Sequence, residues 1–307
     1  MEILRKVLVS GSSGFIGTNL CGFLSEAGME VIRTPGNMHN ESSGIDPFLG
    51  ESVKEFLSRV RPSAIVNLIG TSSEPNPSEL FRVNVIPSLV LLKAIADLQI
   101  NCRVLLMGSA AEYGTRRESE GPVAESAQPA PVSQYGVSKY AQSLACLTYA
   151  GQFGIDLMIA RPFNIIGPGM PAQMVPMTFL LKLLVNHDGI LYTGNLDGVR
   201  DYLSISDVTR ALYAILQHGS PGEVYNVCSG IGWSTRQVLN FIKEHQHIPS
   251  FELREANTFF RRDDVKYSVG DNSKLLSLGW NWQLDVRVCI DGLIDTLIEQ
   301  ESQRTIG

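Results

Sequence analysis

The sequence predicts an α/β protein with a doubly wound parallel sheet and a smaller C-terminal α/β region. Three observations lead to this fold class. Short runs of aliphatic residues alternate with longer segments of helical periodicity over the first 160 residues, the connections between them are short, and a glycine-rich turn follows the first run. Such alternation places consecutive strands in parallel, with helices on both faces of the sheet.

The strands and helices of the first region are predicted from their hydrophobic patterns. The strand candidates are nearly continuous apolar runs, as expected for strands that are buried on both faces. The helix candidates carry apolar residues three and four positions apart. Strands are predicted at 6–10, 30–33, 64–68, 103–107 and 155–160, and helices at 15–27, 52–60, 77–98 and 133–153.

The composition changes after Arg161, where proline and glycine are frequent between 162 and 176 and break regular structure. We therefore expect two domains that interleave in sequence: 1–161 with about 202–228, and about 162–201 with 229–307. The later part is predicted to contain helices at 178–186, 206–217, 235–243, 273–278 and 286–299, a polar loop at 194–201, and a strand at 223–227 that returns to the main sheet.

Charge and composition exclude several classes of partner. The net charge of −6 and the lack of a basic stripe argue against binding to nucleic acid. No apolar stretch reaches the roughly 18–20 residues that span a bilayer, so no membrane association is expected. The five cysteines are scattered, without CxxC or metal-ligand spacing, which predicts a reducing, cytoplasmic location and no metal site. His245 and His247, taken to have no cysteine or carboxylate as a neighbour, are interpreted as a solvated helix end.

A glycine-rich turn directly follows the first predicted strand and opens a helix. Gly11, Gly14 and Gly17 form a GxxGxxG pattern that allows a tight turn, backbone approach to a pyrophosphate, and close packing of helix on strand. The helix dipole favours the phosphate charge. We therefore predict a dinucleotide cofactor, held by Gly11, Ser13, Gly14, Phe15, Ile16 and Gly17, with Leu68 at the end of the third strand.

The end of the second predicted strand bears on the choice of cofactor. NAD is usually held there by an acidic side chain that binds the ribose 2′-hydroxyl. Pro35 stands where that acid is expected, and no acid occurs before Glu41. Arg33 could pair with a 2′-phosphate, so NADP(H) is favoured over NAD(H), which stays open. Asp46 is a candidate acceptor for the adenine amino group.

Tyr135 and Lys139 are four residues apart on a predicted helix and therefore share one face. An ammonium beside a phenol stabilises the phenolate, and lowering a tyrosine pKa from about 10 toward 7 takes roughly 4 kcal/mol. Such a tyrosine exchanges protons with a carbonyl or hydroxyl near neutral pH. Ser109 follows a predicted strand, at the sheet edge where ligands bind. We therefore predict Ser109, Tyr135 and Lys139 as catalytic residues.

With the glycine turn, these residues resemble the Ser-Tyr-Lys set of the extended short-chain dehydrogenase/reductases, the NAD-dependent epimerase/dehydratase family. Further similar motifs cover nearly the whole chain: 109–114 (SAAEYG), 161–168 (RPFNIIGP), 194–202 (GNLDGVRDY), 225–230 (YNVCSG), 261–265 (RRDDV) and 271–280 (DNSKLLSLGW). The resemblance implies a Rossmann domain for the dinucleotide and a second domain for a nucleotide-diphosphate sugar.

The resemblance also implies substrate contacts and an assembly. Asn164, Arg200, Arg261 and Asp264, together with Ser109, are expected to bind the substrate; Arg262 replaces the proline that the family has in its RPxDV segment. The helices at 77–98 and 133–153 correspond to helices that pair across a two-fold axis in the family, so a homodimer through a four-helix bundle is expected.

Within the family, the segments 194–197 and 224–232 most resemble enzymes acting on GDP-mannose-derived sugars, and overall the GDP-4-dehydro-6-deoxy-D-mannose reductases. The related 4,6-dehydratases carry a glutamate two residues before the tyrosine of the segment at 109–114, where this chain has Ala111. If that segment is extended, Glu112 points away from the site. The expected reaction is NADP(H)-dependent reduction of the C4 ketone of a nucleotide-linked, GDP-type 4-keto-6-deoxyhexose, with Tyr135 as proton donor.

Two other functions fit parts of the pattern. A nucleotide-sugar 4-epimerase with tightly bound NAD would use the same three catalytic residues, although the missing acid after the second strand counts against it. A binding module or redox sensor that keeps the fold without turnover usually loses the tyrosine or the lysine, and this chain has both. The base, the sugar and the C4 stereochemistry of the product are left open by the sequence.

Overall fold

Twelve strands are seen in the computed structural model, which describes residues 5–34, 45–185, 189–256 and 265–306. Most of them are four or five residues long, and three of the four in the first half of the chain are almost entirely buried, whereas the strand Glu30–Thr34 is partly exposed. They are β1 (Lys6–Ser10), β2 (Glu30–Thr34), β3 (Ala64–Asn67), β4 (Arg103–Met107), β5 (Asp156–Pro162), β6 (Asn164–Ile166), β7 (Ile190–Thr193), β8 (Val199–Ser204), β9 (Val224–Val227), β10 (Gly232–Ser234), β11 (Glu252–Glu255) and β12 (Tyr267–Ser268).

The α-helices alternate with the strands of the first half and dominate the last third of the chain. They are α1 (Phe15–Glu26), α2 (Gly50–Val60), α3 (Pro77–Asp97), α4 (Gln134–Phe153), α5 (Val175–Val185), α6 (Ile205–His218), α7 (Thr235–Glu244), α8 (Ser273–Leu276) and α9 (Val286–Ile306). Short 3₁₀ helices span Ala110–Tyr113 and Glu118–Glu120. None of the described helices combines the length and apolar composition that crossing a bilayer requires.

The central sheet has six parallel strands in the order β2-β1-β3-β4-β5-β9, and this confirms the predicted doubly wound fold. Successive side chains of β1 point to opposite faces. Val7 and Val9 pack with α1 and α6, whereas Leu8 packs with α2 and α3. Each face therefore has its own apolar core, and burying one such aliphatic side chain contributes about 1.5–3 kcal/mol.

The remaining strands form smaller sheets. The strand β8 lies between β10 and β12 and also pairs with β6, while β7 pairs with β11. A third core joins α5, α7 and α9 through side chains such as Leu180, Val238 and Ile290. The strands of the central sheet come from 6–162 and 224–227, and those of the smaller sheets from 164–204 and 232–268. The division of the chain into two domains stays a prediction.

The predicted strands and helices agree with the observed ones to within three residues at every boundary except the end of the last helix. Six observed strands were not predicted: β6, β7, β8, β10, β11 and β12. The segment 194–201, predicted as a loop, contains the first half of β8, because Val199–Ser204 pairs with three strands that are distant in sequence. The last helix continues to Ile306 rather than ending at 299. The five cysteines are buried and free, in agreement with the expectation of no disulfide.

Candidate active site

The glycine turn places two stretches of backbone in direct contact. Gly11 has a positive φ of 75°, and a Cβ there would lie 3.0 Å from the carbonyl carbon of Leu68. A Cβ at Gly17 would lie 2.2 Å from the carbonyl oxygen of Gly11 and 2.7 Å from Cα of Ser12. Because the obstructing atoms belong to the backbone, neither position accepts a side chain without moving the turn.

The same turn fits the pyrophosphate of a dinucleotide. Gly14 is the N-cap of α1 and provides no side-chain cap, so the first N–H groups of the helix are available to an anion. Ser13 is exposed beside this end, Phe15 and Ile16 are half-buried, and the backbone N–H of Leu68 donates to Ser10 O at 3.0 Å. The structure thus brings the predicted cofactor residues of the first turn together at the carboxyl end of β1.

The region beyond β2 holds the other predicted cofactor residues. A small, mostly apolar cavity of about 40 Å³ opens here between Thr34, Ile45 and Pro47. Asp46 is exposed, and its Oδ1 accepts a hydrogen bond from the backbone N–H of Phe48 at 2.8 Å. Arg33 is exposed at the end of β2. Pro35 and Glu41, on which the cofactor argument also drew, lie outside the described residues.

The three predicted catalytic residues lie at the carboxyl end of β4 and the start of α4. Ser109 follows Gly108 and begins the 3₁₀ helix, while Ser133 caps α4 by accepting from Gly136 N–H at 3.1 Å. The hydroxyl of Ser109 lies near enough to the phenol of Tyr135 to act on the pKa of that phenol. Ser109 and Lys139 are buried and Tyr135 is half-buried, so the phenol stands between the interior and solvent. This supports the predicted grouping of Ser109 with Tyr135.

Burial dominates the electrostatics of these groups. It lowers the pKa of Lys139 to about 8, against the attraction of Glu112, which raises it. Burial also raises the pKa of Tyr135; the neighbouring Ser109 hydroxyl opposes this increase and the charge of Glu112 adds to it. The prediction that the pKa of Tyr135 is lowered is therefore wrong for this structure, because the desolvation of a phenolate outweighs the stabilising contacts.

The orientation predicted for Glu112 is also wrong. The segment after Ser109 is a 3₁₀ helix rather than extended chain, and Glu112 turns inward and is completely buried. Its Oε1 accepts the backbone N–H of Ser109 at 2.9 Å, and its Oε2 lies 2.7 Å from the guanidinium of Arg161. The sequence did carry a signal for this turn, because Ser109-x-x-Glu112 is the pattern of a capping box.

A cavity of about 380 Å³ lies between α5, β7 and β8, and two of the predicted substrate residues line it. Asn164 donates through Nδ2 to Asp201 O at 3.2 Å, and Arg200 donates to Val199 O at 3.0 Å. The cavity also exposes polar side chains that sequence reasoning missed: Gln173, Lys182, Thr193 and Asn195. The two other predicted substrate residues, Arg261 and Asp264, lie outside the described residues.

The histidines at the end of α7 have a neighbour that the sequence could not show. Asp295 of α9 lies 3.5 Å from His245 Nε2 and 3.8 Å from His247 Nδ1, so the premise that no carboxylate is near is wrong. The backbone N–H of His247 donates to His245 Nδ1 at 3.4 Å. His245, His247 and Asp295 offer ligand atoms that all lie within 4.8 Å of one another, so the absence of a metal site stays a prediction.

Comparison with known proteins places this site in a family. The model described as "NAD dependent epimerase/dehydratase family" matches residues 7–228. A GDP-6-deoxy-D-talose 4-dehydrogenase of Aggregatibacter actinomycetemcomitans is 33% identical over 89% of this chain and 90% of its own length. A GDP-6-deoxy-D-mannose reductase of Pseudomonas aeruginosa is 27% identical over 94% of this chain and 96% of its own.

Solved structures agree in fold. The structure of RMD from Pseudomonas aeruginosa complexed with NADPH superposes with a TM-score of 0.85 at 26% identity, covering 96% of this chain and 99% of that one. UDP-glucose 4-epimerases are also among the similar proteins. The similarity therefore extends over both halves of the chain and includes enzymes of more than one activity.

The contact between Gly17 and the turn predicts a large effect of one methyl group. Gly17→Ala forces the backbone of Gly11 and Ser12 to move, so we expect NADPH to bind at least tenfold more weakly and stability to fall by about 1–3 kcal/mol. Fluorescence titration with NADPH and urea unfolding measure the two effects. Gly22→Ala on the same helix is the control, because nothing lies within 4 Å of its Cβ position. This variant should bind NADPH as the wild type does, and its free energy of unfolding should be about 0.5–1 kcal/mol higher. Equal NADPH affinity in the two variants would contradict the assignment of this turn.

Proposed function

Since this chain belongs to the NAD dependent epimerase/dehydratase family and is an NAD(P)-dependent oxidoreductase, we propose that it reduces the C4 ketone of a nucleotide-linked 4-keto-6-deoxyhexose. The proposal joins two parts of the structure: the turn and the catalytic group at the edge of the central sheet, and the polar cavity between α5, β7 and β8. The first would hold the dinucleotide and perform proton transfer, and the second would hold the nucleotide diphosphate of the sugar.

The charge of the large cavity is the observation that carries the proposal. Arg200 and Lys182 both line it, and of the described residues no aspartate or glutamate does, although the whole chain has a net charge of −6. Thr193 lines the same cavity with a buried hydroxyl that has no hydrogen-bond partner. Unpaired buried polar groups are costly, so this hydroxyl supports a polar ligand. Two cations and a free hydroxyl suit the oxygens of a diphosphate.

Tyr135 acts as the proton donor in this proposal. The raised pKa of the tyrosine means that its phenol keeps its proton at neutral pH, which is the form that a reduction requires. When the ketone accepts a hydride at C4, its oxygen becomes an alkoxide, a much stronger base than a phenolate. The proton of Tyr135 then passes to that oxygen, and solvent later restores the phenol.

Ser109 and Lys139 support this transfer. The hydroxyl of Ser109 lies near the phenol of Tyr135, so we assign it to a hydrogen bond with the same substrate oxygen that the phenol protonates. Lys139, with a pKa of about 8, is mostly charged at pH 7, and we assign its ammonium to the nicotinamide ribose and to stabilising the phenolate left after proton transfer. NADPH supplies the hydride when it is bound.

NADPH is proposed over NADH because of the charge at the end of β2. Arg33 is exposed there, within electrostatic reach of Cys21 on α1, the helix that follows the glycine turn. A guanidinium in this position attracts a 2′-phosphate. The similar RMD structure was solved with NADPH, and the named relatives act on GDP-linked sugars, so GDP is the proposed nucleotide of the substrate. Asn164, Arg261 and Asp264 remain proposed substrate contacts, and Asp46 a proposed adenine contact.

A panel of nucleotide-linked 4-keto-6-deoxyhexoses tests the function directly. We expect oxidation of added NADPH, followed at 340 nm, to be fastest with the GDP-linked sugar and slower with NADH, and we expect the purified protein to release no stoichiometric nicotinamide on denaturation. Release of tightly bound NAD together with interconversion of C4 epimers would instead establish the epimerase.

The control for that assay is Tyr135→Phe, which removes one hydroxyl. Loss of a general acid costs about 10²–10⁴-fold in turnover, while NADPH affinity should change by less than threefold. A Tyr135→Phe variant with wild-type turnover would mean that another group donates the proton.

Removing the positive charge from the cavity should weaken substrate binding more than catalysis. A charge-assisted hydrogen bond contributes about 1.5–3 kcal/mol, so Arg200→Gln should raise the KM for the nucleotide sugar about 10- to 100-fold with kcat nearly unchanged. Arg236→Gln is the control, because Arg236 is exposed, pairs with Asp197 and Glu255, and does not line the cavity. Steady-state kinetics compares them; equal KM values would remove Arg200 from the substrate site.

The homodimer is proposed from the exposed apolar residues of α3 and α4. These two helices pack together, and Ile86, Val137 and Leu144 are 42%, 37% and 56% exposed. We expect a dimer by size-exclusion chromatography with light scattering, and a monomer for Leu144→Glu because the charge would be buried. Val288→Glu is the matched control, since Val288 is also 56% exposed but lies on α9. A wild-type monomer, or dissociation by the control alone, would contradict this interface.

A further inference from the structure

The carboxylate of Glu112 joins three elements beneath the catalytic group. Its Oε1 accepts the backbone N–H of Ser109 at 2.9 Å and the hydroxyl of Ser143 on α4 at 3.1 Å. Its Oε2 accepts Nε of Arg161 on β5 at 2.9 Å. Both charged groups are almost inaccessible to solvent, so the contacts act without screening by water.

The turn that carries Ser109 closes around this carboxylate. The Ser109 hydroxyl accepts the backbone N–H of Ala111 at 3.1 Å, which completes the capping box begun by Glu112. A Cβ at Gly108 would lie 2.7 Å from Glu112 Oε1, so the chain leaves β4 in van der Waals contact with the acid. The backbone position of Ser109 therefore depends on a side chain three residues later.

The charged and titratable groups around Glu112 come from each element packed against it. Arg161 is the cation of β5, and it also donates to the hydroxyl of Tyr113 at 3.0 Å. On α4, Glu112 acts electrostatically on Lys139 and Tyr135, and Cys146 lies within reach of Lys139. One buried carboxylate thus faces two cations, one of which belongs to the proposed catalytic group.

We infer that Glu112 is a positioning residue of the active site: its buried carboxylate ties the turn of Ser109 to α4 and β5 and places a negative charge on the side of α4 that carries Lys139. The inference rests on the proposed function, because it concerns the same site. Glu112 does not touch the reacting carbonyl; it acts through the serine turn and through the lysine.

Replacing the carboxylate by an amide separates the two effects. Glu112→Gln keeps the acceptor for Ser109 N–H but removes the charge. Lys139 should then lose its proton at lower pH than in the wild type, where the pKa is about 8, by about one pH unit. A lysine with lowered pKa loses its charge as pH rises, so the alkaline fall of kcat/KM should move to lower pH by the same amount. Glu112→Asp, which retains the charge, should restore most of the wild-type profile.

The measurement that needs no turnover is NMR titration of protein labelled with [¹³Cε]lysine, with the Lys139 signal identified by its loss in Lys139→Arg. Glu112→Gln alone leaves the buried charge of Arg161 without its partner, which can destabilise the fold. The double variant Glu112→Gln with Arg161→Gln removes both charges of the pair, so the titration of Lys139 can still be measured if the single variant misfolds. Glu125→Gln is the control: its carboxylate accepts Asn226 N–H at 2.8 Å and is not among the groups acting on Lys139.

The outcomes for this inference and for the proposed function are distinct. A titration of Lys139 that is unchanged in both Glu112 variants overturns the inference even if the enzyme reduces 4-keto sugars. An inactive wild type with the expected shift in the Lys139 titration overturns the proposed reaction and leaves the role of Glu112 intact. A shift of equal size in Glu125→Gln would also count against Glu112, since it would show a response to any local loss of charge.

Discussion

The parallel pairing of β1 with both β2 and β3 is the constraint on which the site depends. Because β1 has these strands on opposite sides, the chain leaves the sheet in two directions, and a crevice opens at the carboxyl ends. The glycine turn follows β1 and Ser109 follows β4 at that same edge. The turn borders the crevice with backbone atoms, as the close approach of Gly17 to Gly11 shows. In the proposed function, a dinucleotide and Ser109 therefore meet at this edge without any loop having to bring them together.

Sequence reasoning succeeded where a property is local and failed where it depends on distant chain segments. The strands of the central sheet could be predicted from short apolar runs, and the position of Tyr135 and Lys139 on one helix from their spacing. The strand β8 was missed because its pairing partners lie far away in sequence. Thr193 and Lys182 gave no signal, since a cavity exists only after α5, β7 and β8 have packed. Glu112 was misplaced because alternation was assumed for a segment whose capping box favours a turn.

The net charge of the chain and the side chains that line the cavity lead to different expectations about the ligand. A net charge of −6 weakly repels a nucleotide sugar at long range, but the Debye length at physiological ionic strength is about 8 Å, so beyond that distance the repulsion is largely screened. Within it, the side chains of the cavity decide which ligand binds. Arg200 and Lys182 bring two cationic side chains to the lining of this cavity in an acidic protein, and an overall count of charges does not show this placement.

Burial of the catalytic pair bears on the direction of the reaction. A 4-epimerase must first remove a proton from the substrate hydroxyl, which requires a phenolate in the resting enzyme, whereas a reductase starts from the phenol. Burial raises the pKa of Tyr135 and lowers the pKa of Lys139 to about 8. It therefore disfavours both the phenolate form of the tyrosine and the ammonium form of the lysine. Glu112 raises both pKa values and keeps the proton on each group. A phenol beside an ammonium is the protonation state that the proposed reduction requires, because the phenol gives its proton to a ketone that has accepted a hydride.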